Sequence, residues 1–160
     1  MCKLINREKT MSQIANIAVY DGAATPVLHT LVPISVTRDA GKVVAEYREQ
    51  LTTVPTNGQV RCVLTLQQSK NGIYRVDARV VVPVMESVSG NNAAGYTAAP
   101  KIAYENTVQM TGFFSLRSDA AGRRLVRQLA TNIAGSIGTS VAPITTGPLP
   151  ELFDLLVAPT

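Results

Sequence analysis

The sequence predicts an α+β domain: an antiparallel sheet of about five strands that opens with a β-hairpin, followed by two C-terminal helices. Three observations predict it. Residues 59–68 (QVRCVLTLQQ) and 73–84 (IYRVDARVVVPV) alternate polar and apolar side chains, the period of a half-covered strand. The link between them, Ser69-Lys70-Asn71-Gly72, has the Asn-Gly of a hairpin connection. Beyond Ser118 the apolar period lengthens from two to that of a helix.

Residues 1–13 show no periodicity and read as a loose arm, leaving 14–160 as a single domain. Met11 offers a second start just before the patterned sequence, so residues 1–10 can lie upstream of the mature chain. Residues 14–20 (IANIAVY) and 26–37 (PVLHTLVPISVT) flank Asp21-Gly22 and predict the opening hairpin. Pro33 argues for an edge position, because proline cannot donate to a ladder. Residues 42–50 (KVVAEYREQ) follow the Asp39–Gly41 turn as a third short strand. After the central hairpin, 86–101 (ESVSGNNAAGYTAAPK) is small, polar and glycine-rich, an exposed loop long enough to be functional or flexible. Residues 102–116 resume a strand. There Glu105, Thr107, Gln109 and Thr111 oppose Val108, Met110 and Phe114, and Gly112 allows a bulge. Ser118-Asp119 offers an N-cap to AAGRRLVRQLATNIAG, where Leu125, Val126, Leu129 and Ile133 form an apolar stripe and Gly135 a stop. ELFDLLV (151–157) predicts a second, short helix.

Composition narrows the function. The net charge is +4 with a pI near 9.3, so polyanion binding requires the basic residues to gather on one surface. They do so on the central hairpin. One face of it carries Gln59, Arg61, Val63, Thr65 and Gln67, then Arg75, Asp77, Arg79 and Val81; the other carries Val60, Cys62, Leu64 and Leu66, then Tyr74, Val76, Ala78, Val80 and Val82. There is no run of 18 apolar residues, and the N-terminal MCKLINREKT is polar and charged without the apolar stretch of a signal peptide, which points to synthesis in the cytoplasm. Cys2 and Cys62 lack metal-ligand spacing, and Cys62 reads as a buried reduced thiol. His29, the sole histidine, has no nucleophile motif nearby, and no phosphate-loop, dinucleotide or zinc-protease motif occurs. No cofactor, metal or catalytic residue is expected. By themselves, an Arg-Asp-Arg row is a solvated ion-pair ladder and Tyr104 a packing residue.

Taken in order, IANIAVYDG through PISVT, VAEYRE, VRCVLTLQQS, YRVDARVVVP, the glycine-bearing loop, AYENTVQMT, the Ser-Asp-capped helix and PLPELFDLL carry a resemblance. Over residues 13–157 the chain resembles the coat proteins of single-stranded RNA bacteriophages, the levivirus group. The resemblance implies subunits that join sheets edge to edge in a two-fold dimer, with the C-terminal helices reaching across the partner. It also implies an icosahedral shell whose inner surface is the bare sheet face, contacts made by the 86–101 loop around the symmetry axes, and a location in the virion. That loop has no cysteine, so its shell contacts would be noncovalent.

An RNA hairpin of the genome would bind the inner face, packaging RNA and repressing replicase translation. The residues matching the family's RNA contacts are Gln59, Arg61, Val63 and Thr65, then Arg75, Asp77 and Arg79, with Tyr104 stacking on a base and Asn106 beside it. Strict alternation instead groups Tyr104 and Asn106 with Val108 and Met110. Either a bulge intervenes, or Glu105, Thr107 and Gln109 face the RNA. Arg123, Arg124 and Arg127 are expected on an exposed or intersubunit surface. The expected partners are further copies of the chain and single-stranded RNA, with no membrane and no small-molecule substrate. The alternatives are a cellular RNA-binding dimer that does not assemble and, more remotely, a small α+β enzyme with a pocket the sequence does not announce.

Overall fold

The computed structural model describes residues 14–86 and 99–160. Six antiparallel strands form one sheet in chain order: β1 (Ile17–Tyr20), β2 (Leu28–Asp39), β3 (Lys42–Glu49), β4 (Arg61–Gln68), β5 (Ile73–Met85) and β6 (Ile102–Ser115). Two helices follow, α1 (Ala120–Gly135) and α2 (Pro148–Leu155). The expected α+β order of hairpin, sheet and paired helices is what the chain adopts. The expected arm at 1–13 and most of the 86–101 loop lie outside the described residues.

Turn chemistry sets the register. Asp39 pairs Lys42 across a two-residue turn in which Ala40 and Gly41 both have positive φ (30° and 85°), the twist that lets adjacent strands close tightly. At the opening hairpin, Asp21 Oδ1 accepts from the Val27 N–H at 2.9 Å, and Asp21 N–H donates to Val27 O at 3.0 Å. The proline expectation is corrected in part. β2 lies between β1 and β3, yet β1 reaches only to Leu31, and Pro33 sits where the register to β3 shifts. β2 is therefore unflanked on that side at Pro33, and the missing N–H leaves no ladder bond unmade.

The apolar faces of the strands meet α2 and the C-terminal tail. Leu31, Ala45, Tyr47, Cys62, Leu64, Val76, Ala78 and Phe114 pack with Leu152, Phe153 and Ala158. Burial pushes the Cys62 thiol up to about 11, which keeps it protonated and inert. Gly112 makes no bulge: it pairs Val76 in unbroken register. Its hydrogen leaves room for the edge-to-face pair of Phe114 and Phe153, since a Cβ there would lie 2.8 Å from the Phe114 ring. Asp119 caps α1 by accepting from the Gly122 N–H at 2.8 Å, and Ser136, in the left-handed conformation, ends it one residue past the expected glycine. α2 begins at Pro148, three residues before the expected start, with proline in its first turn.

The helices leave much apolar surface uncovered. On α1, Leu125, Val126, Leu129 and Ile133 are each more than half exposed, Ile133 at 77%. On the helix side of the sheet, Val80, Val82, Tyr104 and Val108 are also exposed, Val108 at 74%.

Candidate nucleic-acid interface

Among the described residues the opposite side of the sheet has no helix, and its register aligns polar side chains into rows. Lys42, Gln67, Arg75 and Phe113 form one row across β3–β6; Val44, Thr65, Asp77 and Thr111 form the next. Then come Glu46, Val63, Arg79 and Gln109, followed by Arg48, Arg61, Val81 and Thr107. The period of two that buries Leu64 and Val76 on one side requires these residues on the other. Five cations (Lys42, Arg48, Arg61, Arg75, Arg79) share the surface with four carboxylates (Asp39, Glu46, Asp77, Glu105), so each subunit's face keeps a small positive excess.

Asp77 is the hub. Its Oδ1 accepts from Thr111 Oγ1 at 2.6 Å and Gln109 Nε2 at 3.0 Å, and Arg75 Nε lies 2.8 Å from Oδ2. Burial raises the Asp77 pKa, but these hydrogen bonds and the Arg75 charge together outweigh it and hold the carboxyl below its ordinary value. Arg61 pairs with Glu105 across the sheet. Among the described residues Lys42, Arg48 and Arg79 make no ion pair, and Arg48 Nε is buried with no hydrogen-bond partner. This surface presents unneutralised donors to an anion and carboxylate acceptors between them.

Six of the nine expected contact residues share this face: Arg61, Val63, Thr65, Arg75, Asp77 and Arg79. Gln59 does not. It precedes β4, and its buried amide donates to Leu51 O at 2.8 Å and Val54 O at 3.1 Å, holding the 50–60 loop. Tyr104 and Asn106 pair Val84 and Val82, on the helix side. The register shift in this hairpin falls between Val84 and Met85, so no bulge turns Tyr104 over. Alternation therefore prevails, and Glu105, Thr107 and Gln109 join the arginines. The residues that sequence reasoning missed are Lys42, Glu46 and Arg48 on β3 and the exposed Phe113 on β6. Their signal was present: Ala45 and Tyr47 are the apolar positions of β3, which leaves 42, 44, 46 and 48 on the bare face.

The helix arginines are not a surface. Arg123 and Arg127 are 9% and 7% exposed, and with Arg124 they converge on Asp154 of α2, itself 0% exposed. Arg127 Nε and Nη2 donate to Asp154 Oδ1 (2.9 Å) and Oδ2 (3.0 Å), Arg124 Nε donates to Oδ2 (3.0 Å), and Arg123 Nε donates to the Asp154 carbonyl (2.9 Å). Burial raises the Asp154 pKa, yet the hydrogen bonds and charges of Arg127 and Arg124 outweigh it and leave it lowered. His29 has a structural place too. Its Nδ1 lies 3.0 Å from Glu49 Oε1 and its Nε2 3.6 Å from Asp21 Oδ2, tying the opening hairpin to β3.

A sheet bare and cationic on one side, with an apolar helix face left over on the other, defines a structural subunit built to meet other molecules over broad surfaces. The chain belongs to the levivirus coat protein family, whose profile matches residues 12–147. It is a capsid protein, a component of the virion, and not an enzyme. It is 35% identical over 80 residues to the capsid protein of Pseudomonas phage PRR1, a match that covers 50% of this chain and 56% of that protein. Among solved structures it is similar to the virus-like particle of bacteriophage EMS014 (29% identity, TM-score 0.65, covering 91% of this chain and 98% of that one). It is also similar to that of Beihai levi-like virus 21 (27% identity, TM-score 0.62, covering 82% and 98%).

Proposed function

We propose that the chain dimerises by exchanging α1 helices about a two-fold axis, assembles into an icosahedral shell, and binds single-stranded genomic RNA on the bare sheet face. One observation carries the reading: the described residues cover the sheet on one side only, and that side lacks a helix's worth of cover. The stripe Leu125, Val126, Leu129 and Ile133 matches in character the exposed Val80, Val82, Tyr104 and Val108. Laid across a partner, each α1 buries both sets, and each large side chain so buried contributes roughly 1.5–3 kcal/mol. The free edge of β6, 14 residues long, lies beside the same surface, so edge pairing across the axis completes an isologous interface. Tyr104 and Asn106 then belong under the partner's α1.

The bare face becomes the shell's inner wall, with Arg61, Thr65, Arg75, Asp77, Arg79, Lys42, Arg48, Thr107 and Gln109 facing the RNA. Binding a genomic hairpin there packages the genome and occludes the message it belongs to, repressing replicase translation. The test is expression of the chain alone in bacteria, followed by sedimentation, electron microscopy and absorbance at 260 nm. Uniform particles containing nucleic acid are expected. A dimer that binds RNA but never sediments as a shell would contradict assembly and favour a non-assembling RNA-binding protein.

A further inference from the structure

Phe113 is unusual on its surface. It is a large aromatic, 68% exposed, in the row with Lys42, Gln67 and Arg75 on an otherwise polar cationic face. The Arg75 guanidinium carbon lies 6.0 Å from its ring centroid. Arg75 is kept there by Asp77, through Nε at 2.8 Å and Nη2 at 3.3 Å. Asp77 is in turn fixed by Thr111 and Gln109 of β6, two and four residues before Phe113. Lys42, at the other end of the row, has no ion-pair partner among the described residues.

We infer that Phe113 with Arg75 is a stacking platform for an unpaired RNA base, and that Asp77 creates it by holding Arg75 in an ion pair beside the ring and away from phosphate. This rests on the RNA-facing assignment of the bare face, and it adds a division of labour. Lys42, Arg48 and Arg79 take phosphates; the Phe113–Arg75 pair takes a base. Three arguments support the base as occupant. The flanking surface is cationic, as a nucleotide's phosphate requires. An aromatic ring and a guanidinium plane are the two side-chain surfaces on which unpaired bases stack. The carboxylate beside Arg75 repels a phosphate but not a neutral base. Tyr104, the tyrosine of the same strand, points to the other side of the sheet.

The experiment measures binding of the native full-length protein and its variants to a short oligoadenylate by fluorescence anisotropy, across a range of sodium chloride. Stacking is insensitive to salt, whereas each phosphate-neutralising cation adds about 0.7 to the slope of log affinity against log salt for a single strand. Phe113→Ala is expected to weaken binding roughly tenfold with an unchanged slope, and Phe113→Tyr to restore it. Arg79→Gln is expected to make the slope shallower by about 0.7 per subunit, and Asp77→Asn, by releasing Arg75, to make it steeper by a similar amount. Native affinity in Phe113→Ala alongside a shallower slope in Arg79→Gln would overturn the platform and leave the RNA face standing. Loss of the dimer in Phe113→Ala, with affinity per dimer unchanged, would overturn it by assigning the ring to a subunit contact. A native protein that does not bind the oligonucleotide would overturn both.

Discussion

Arg61, Arg75 and Arg79 of the sheet and Arg123, Arg124 and Arg127 of α1 differ in what surrounds them. Arg61, Arg75 and Arg79 project from the bare side of the sheet, where two meet one carboxylate each and the third meets none among the described residues. Arg123, Arg124 and Arg127 converge on one fully buried carboxylate and three backbone carbonyls, those of Ser118, Ile144 and Asp154. The buried guanidinium groups of Arg123 and Arg127, with the half-buried Arg124 beside them, hold the fold together, because a buried cation left without partners is costly. Those with donors turned to water remain available to an outside anion. The helix set is thus a clamp fixing the angle between α1 and α2, and with it the direction in which the unpartnered α1 stripe points.

The comparison is tested most severely at Asp154. Asp154→Ala strands buried Arg127 and is expected to cost about 3–5 kcal/mol, read as a lower urea midpoint, and to abolish particle assembly. Acid probes the same clamp. Because the Asp154 pKa is lowered in the fold, the stability it contributes is fully present above the ordinary carboxylate value, roughly pH 4, and is lost as pH falls through its own lower value. Thermal unfolding of Asp154→Asn should therefore change less between neutral and acid pH than that of the native protein. On the sheet, Asp77→Ala removes a partly solvated hub and should cost about 1–2 kcal/mol by urea unfolding. The smallest effect belongs to Arg61→Gln, whose pair with Glu105 is well exposed; a loss below about 1 kcal/mol is expected. If Arg61→Gln destabilised the chain as much as Asp154→Ala, the distinction between the two sets would fail.

The central hairpin was fully legible in the sequence. Its alternation is unbroken and Asn71-Gly72 closes the turn, so the facing of Arg61, Thr65, Arg75, Asp77 and Arg79 follows from counting by twos. β6 was legible by the same rule, but matching Tyr104 and Asn106 to family contact positions pointed the other way, and the ladder sides with alternation. Gln59 departs from its expected facing for a different reason: it lies just outside the strand, and its amide is taken by Leu51 and Val54 in the preceding loop. The clamp was not legible. Arg127 and Asp154 are 27 residues apart, joined by a connector of irregular structure, and helical periodicity places arginines off the apolar stripe without saying what covers them. The α1 stripe was visible as a stripe, and its exposure fits the reach across a partner that the family resemblance implied; periodicity alone does not say which sheet such a stripe covers.

The sheet arginines are assigned to the nucleic acid and the helix arginines to the fold. A cryo-electron microscopy map of particles formed by the expressed protein tests this most directly. RNA density is expected on the inner surface against Lys42, Arg79 and Phe113, with α1 lying across the two-fold partner and Arg123, Arg124 and Arg127 gathered around Asp154. RNA density on the helix side, or α1 folded back over its own sheet, would contradict it.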